Sequence, residues 1–230
     1  MLKKDLIKRS PAVRIIGDEE IAKVHFGAVL SRAGVGKTRY LVQIALTKLL
    51  KNEKILHISL NDPIEKIKAR YIEAYNDLVD SIGYVDPQKA LRLWEEIKNE
   101  KIALSYNDNT FDPEKIKVYL KSFKKDDLTL PTLIVMDGLD FDRDVNETLT
   151  GLEEISKRFE IPVWYSMQTH REEDFAPSGY PVQLENVKDL FDKAVFLHPK
   201  NDKIESVVLT DESRPNEYYL LEPATMMIVD

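Results

Sequence analysis

Ser31-Arg32-Ala33-Gly34-Val35-Gly36-Lys37-Thr38 stands between two apolar patterns of different period. Before it, Val24-His25-Phe26-Gly27-Ala28-Val29-Leu30 is a short apolar run; after it, Tyr40, Leu41, Ile44, Ala45 and Leu49 recur at helical spacing. The order is strand, glycine loop, helix. A nucleoside triphosphate needs a concave set of backbone N–H donors, a mobile cation for its outer phosphates and a hydroxyl for the magnesium. Gly34-Val35-Gly36-Lys37-Thr38 supplies all three between a strand and a helix. The strict pattern asks for glycine where this chain has Ser31, but the glycines nearest the phosphates and the Lys-Thr pair are intact.

Beyond the loop the same alternation continues. Lys54 to Leu60 reads as a buried strand. The spacing of Ile64, Ile67, Tyr71, Ala74, Tyr75, Leu78 and Ile82 predicts a helix that Asp62 caps, with Pro63 in its first turn. Pro87 to Lys101 predicts a second, so that 63–101 forms a helical insertion beside the sheet. Ile102 to Tyr106, Thr132 to Asp137 and Pro162 to Gln168 are further strands, separated by helices over 112–123 and 148–159. Strands alternating with helices imply a parallel sheet covered on both faces. After residue 193 only turns separate the strands at 194–197, 204–209 and 217–221, with a fourth predicted at 224–229, so an antiparallel meander completes the sheet. Residues 1–23 mix charge, Pro11 and Gly17 without a sustained period, which predicts an arm or short leading elements before a core beginning at Val24.

A second chemical requirement is a carboxylate that orients the water shell of the magnesium from the end of a neighbouring strand. Leu133-Ile134-Val135-Met136-Asp137 puts Asp137 there after four apolar residues. His25, His57, His170 and His198 show no metal-ligand spacing, and Asp140, Asp142 and Asp144 read as a solvated loop.

The composition sets outer bounds. The 230 residues include no cysteine, which excludes disulfides, thiolate catalysis and cysteine-ligated zinc or iron–sulfur sites. Lys and Arg number 33 against 40 Asp and Glu, a formal charge of −7. That balance argues against a surface given over mainly to nucleic-acid phosphate, while leaving room for a local basic patch. No run reaches the ~20 apolar residues of a membrane span, and the first residues are too charged for a secretory apolar core, so the expected location is the cytoplasm.

These motifs, in this order, resemble the RecA-like ATPases, above all their KaiC-type and DnaB-type branches, over about residues 24 to 229. The loop at Ser31–Thr38 is similar to the Arg-Pro-Gly-Met-Gly-Lys-Thr loop of the helicase branch, and Met167-Gln168-Thr169-His170-Arg171 to its Ser-Gln-Leu-x-Arg stretch. The resemblance implies a three-layer RecA-like P-loop NTPase fold that binds ATP and Mg2+. It implies a nucleotide site at Arg32, Ala33, Gly34, Val35, Gly36, Lys37, Thr38 and Arg39, with the metal at Thr38 and Asp137 and Gln168 as the sensor of the terminal phosphate.

Two features depart from that family. Its water-activating glutamate follows the second strand, where this chain reads Ser59-Leu60-Asn61-Asp62; asparagine cannot take a proton, so Asp62 becomes the candidate displaced base. The family's trans-acting Lys and Arg come from a hairpin whose counterpart, Val208 to Arg214, has no lysine and one displaced arginine; Arg171 or Arg214 could substitute. Two losses favour a nucleotide-controlled switch or weak ATPase acting through a protein partner or self-assembly. The alternatives are a competent oligomeric ATPase that remodels nucleic acid or protein, and a small-molecule phosphotransferase.

Overall fold

The computed structural model describes residues 2–107, 110–126, 128–170, 176, 180–209 and 218–229. Its strands are β1 (Phe26–Ser31), β2 (Ile55–Ser59), β3 (Lys101–Ser105), β4 (Leu133–Asp137), β5 (Val163–Gln168), β6 (Lys193–Lys200), β7 (Lys203–Val208) and β8 (Tyr218–Leu221). They form one sheet in the order β3-β2-β4-β5-β1-β6-β7-β8. Pairing is parallel from β3 to β6 and antiparallel from β6 to β8.

Side chains alternate between the two faces, as a strand's period of two requires. Val29, Leu133, Val135 and Trp164 join one apolar cluster, with α1 (Leu2–Arg9), α2 (Pro11–Ile15), α3 (Asp18–Lys23), α4 (Lys37–Leu49), α5 (Ile64–Asp80) and α6 (Pro87–Ile97). Ala28, Leu30, Ile134, Met136 and Tyr165 join the other, with α7 (Pro113–Lys125), α8 (Asn146–Phe159) and α9 (Val182–Glu185). The result is helix, sheet, helix. The two helices between β2 and β3 form the crossover that joins those parallel neighbours, and Tyr71, Ala74 and Tyr75 of α5 are buried.

The core extends further toward the N-terminus than the sequence pattern predicts. Leu6, Ala12, Ile15, Ile16 and Ile21 are all buried in the first cluster. The indole N–H of Trp164 donates to the carbonyl of Ile21 (3.2 Å), while its ring lies over Gly27, where a Cβ would come within 2.5 Å. Helices of five to eight residues contribute one to three inward side chains each, too few to show a period.

Two further expectations change. Asp62 does not cap α5: the residue before the helix is Pro63, without a side-chain bond, and the Asp62 carboxylate turns to cations of the helix instead. Residues 224–229 make no strand; the chain turns at Glu222–Met226, Met226 adopts φ 58°, and a single bridge joins Leu221 to Ile228. The Gln43 side chain on α4 donates to the carbonyl of Thr225 (3.1 Å), which draws this stretch toward the helix that follows the glycine loop. No helix among the described residues is long and apolar enough to cross a membrane.

Candidate functional site

Strand register brings the chemistry together. Ser31 of β1 lies opposite Gln168 of β5, and Ser59 of β2 opposite Asp137 of β4, so all four strand ends open on one edge of the sheet. In open α/β sheets this carboxyl edge is where ligands bind. A cavity of about 500 Å³ lies there, lined by Gly34, Lys37, Thr38, Asn61, Asp62, Arg70, Asp137, Asp140 and Gln168 among others. A second, of about 720 Å³, shares Ala33, Gly34 and Gln168 with it and runs past Arg32 and Val35 to Asn201 and Lys203 at the β6–β7 turn.

The glycine loop needs its glycines. Gly34 and Gly36 have φ of 80° and 125°, which side-chain-bearing residues rarely adopt, and a Cβ on Gly36 would meet the Met226 sulfur at 2.8 Å. The Lys37 ammonium donates to the carbonyls of Ser31 and Arg32, both at 2.9 Å. Burial lowers its pKa to about 8 despite the nearby Asp137 carboxylate. The Thr38 hydroxyl donates to the Asp137 carboxylate at 2.9 and 3.1 Å. A hydroxyl touching a buried carboxylate beside a glycine loop is a hard oxygen donor set, of the kind that suits Mg2+. These residues therefore fit Mg2+, and Thr38 and Asp137 are the ones that could hold it.

Beyond Asp137 the chain turns at Gly138, whose N–H donates to the Ser166 hydroxyl (2.9 Å). Its φ is 93°, and a Cβ there would meet the Asn61 amide nitrogen at 2.3 Å. Asn61 is exposed at the cavity, and its backbone N–H, like that of Asp62, donates to the Ser59 hydroxyl (3.3 and 3.0 Å). Asp62 is 8% exposed and paired with Lys66 (2.8 Å) and Arg70 (2.7 Å). Burial alone would raise its pKa; the two cations outweigh that and hold it below the usual aspartate value.

Gln168 is exposed and lines both cavities. The next residues are anchored: the Thr169 N–H donates to the Ser31 carbonyl (2.9 Å), and His170 Nε2 lies 2.6 Å from Asp142. Gln183 also donates to Asp142 (3.1 Å), while the Asp144 carboxylate accepts from the N–H of Asn146 at the start of α8 (3.0 Å), so the acidic stretch is a tied turn.

Arg39 stands apart from the other sequence-predicted site residues. It pairs with Asp77 of α5 and lines neither cavity. Arg171 and Arg214 lie outside the described residues. Sequence reasoning missed Arg70, Ser166 and Met226. For Arg70 a signal existed: Lys66 and Arg70 follow Asp62 by four and eight residues, one face of a helix.

No protein-family model matches the chain, and no curated protein matches it. Among solved structures it is similar to one described as an ATPase domain, with TM-score 0.65 and 12% identity, covering 90% of this chain and 85% of that one. At that identity the likeness concerns the fold. The chain shares the α/β fold of that domain, a mostly parallel sheet between two helical layers with an antiparallel C-terminal extension.

Proposed function

We propose that the chain binds ATP with Mg2+ and works as a nucleotide-dependent switch or weak ATPase, whose bound and free states differ in how it meets a protein partner or another copy of itself. The observation that carries this is the convergence of Lys37, Thr38 and Asp137 at one strand edge, beside a segment whose water-activating position holds Asn61. Lys37 trades two backbone carbonyls for phosphate oxygens, and the N–H groups of residues 32–38 cradle the rest. Mg2+, when bound, neutralises charge on the outer phosphates. The base and sugar extend into the larger cavity toward Asn201 and Lys203.

Gln168 reports occupancy. It is the residue common to both cavities from β5, and its neighbours are tied to the glycine loop through Ser31 and to the β4–α8 turn through Asp142. Asn61 holds a water without accepting its proton, so turnover is slow, in keeping with the ~10²–10⁴-fold contribution of a general base. We place the chain nearest the DnaB-type and KaiC-type branches on the stretch Met167–Arg171 and the helicase-type loop.

Phosphate release in magnesium, measured beside equilibrium binding of a fluorescent ATP analogue, tests this proposal. Binding with little turnover supports a switch. Brisk turnover that Asp62→Ala abolishes supports a competent ATPase with a displaced base, and absence of binding rejects both.

A further inference from the structure

Asp62 and Arg70 meet in the smaller cavity, which Gly34, Lys37, Thr38 and Asp137 also line. They come to it from the side: the end of β2, which leads to Asn61 and Asp62, is separated from the end of β1 by β4 and β5. Arg70 reaches the same cavity from the second turn of α5. Its Nη2 donates to Asp62 Oδ2 at 2.7 Å, while its Nε is buried and has no hydrogen-bond partner. A buried guanidinium N–H left without an acceptor is costly, and it marks a group with binding capacity in reserve.

Asp62 cannot follow Arg70 if Arg70 moves. Its N–H is fixed on the Ser59 hydroxyl (3.0 Å), its carbonyl accepts from the Ser105 hydroxyl (3.0 Å), and its other carboxylate oxygen is held by Lys66 at 2.8 Å. Lys66 is 57% exposed, so it can stay with Asp62 and balance its charge when Arg70 leaves. The planar fork of Arg70 suits two oxygens of a phosphate better than one oxygen of a carboxylate.

We infer that Asp62 is the resting counter-ion of Arg70, holding its guanidinium until a terminal phosphate in the shared cavity draws it away, and that a nucleoside triphosphate does so while a diphosphate does not reach it. The pair is thus a specificity determinant that tells triphosphate from diphosphate within the chain itself. Asp62 is here a positioning residue, engaged by two cations and not free to take a proton from water. This rests on the proposed nucleotide site.

The test is the ratio of affinities for a non-hydrolysable ATP analogue and for ADP, measured by calorimetry in magnesium on the full chain. Asp62→Asn removes the competing charge and should raise the triphosphate-to-diphosphate ratio about fivefold or more, and Arg70→Gln should lower it by a similar factor, each about 1 kcal/mol or more. In the double variant Asp62→Asn should have lost its effect, because its action runs through Arg70. Asp62→Ser serves the same purpose if Asp62→Asn folds poorly. A ratio unchanged by Asp62→Asn, or lowered by it, with both nucleotides still bound, overturns this inference and leaves the nucleotide site standing. If the wild type binds neither nucleotide, both fall.

Discussion

The Thr38 hydroxyl donates to the Asp137 carboxylate at 2.9 Å across 99 positions of sequence. One residue stands in the first turn of the helix after the glycine loop and the other ends β4, and β5 is the strand that separates β4 from β1. That contact joins the glycine loop, which we propose binds phosphate, to the carboxylate we propose orients the metal, and both lie on the carboxyl edge of the sheet.

It leads to a prediction about metal dependence. Asp137→Asn keeps an oxygen that can accept from Thr38 but removes the charge. Affinity for a non-hydrolysable ATP analogue should fall roughly tenfold or more, in the range expected for a lost charged contact. Titrations with magnesium and with a chelator, which differ in the wild type, should converge in the variant. Equal magnesium dependence in both proteins would place the metal elsewhere.

Gly138 tests whether backbone strain or side-chain crowding fixes the turn after β4. Gly138→Ala should destabilise the protein by about 1–3 kcal/mol in urea unfolding, because φ is 93° there. The added Cβ would also strike the Asn61 amide, but that is the far end of an exposed side chain. Combining it with Asn61→Ala should therefore restore little. Full recovery in the double variant would show that crowding, not φ, sets the cost.

His57 gives a pH dependence. It is fully buried in β2, with Nδ1 3.0 Å from the Tyr71 hydroxyl and no partner for Nε2. Burial lowers its pKa to about 4; Asp137 and Asp62 oppose that shift, and Lys101 and Arg70 add to it. The unfolded chain, near 6.5, takes the proton first, so stability rises with pH between about 4 and 6.5 and is lost as pH falls through that window. In His57→Gln the fall should be shallower by up to about 1.4 kcal/mol per pH unit, read from urea midpoints. Parallel pH profiles for the two proteins would contradict this.

The parts of the fold legible in the sequence are those where one local signal sufficed. Leu133–Asp137 is an unbroken apolar run ended by a charge, as a strand buried on both faces requires, and the glycine loop lies between two clear periods. Leu6 and Ile21 were not legible as core, because helices this short owe their burial to tertiary contacts such as Ile21 with Trp164. Asp62 shows the limit for the site. Its place before Pro63 suits a cap equally well, and only the fold reveals that Lys66 and Arg70 claim its carboxylate. The departure of Arg39 toward Asp77 depends likewise on how α4 packs against α5, which no spacing within the loop encodes.

The central claim is that the loop Ser31–Thr38 and Asp137 form a magnesium-dependent ATP site. Calorimetric titration of the wild type and of Lys37→Ala with a non-hydrolysable ATP analogue in magnesium tests it most directly. The expected result is saturable one-to-one binding by the wild type, weakened roughly 10- to 100-fold in Lys37→Ala by loss of a charged donor. No binding by the wild type, or equal affinity in the two proteins, would contradict it.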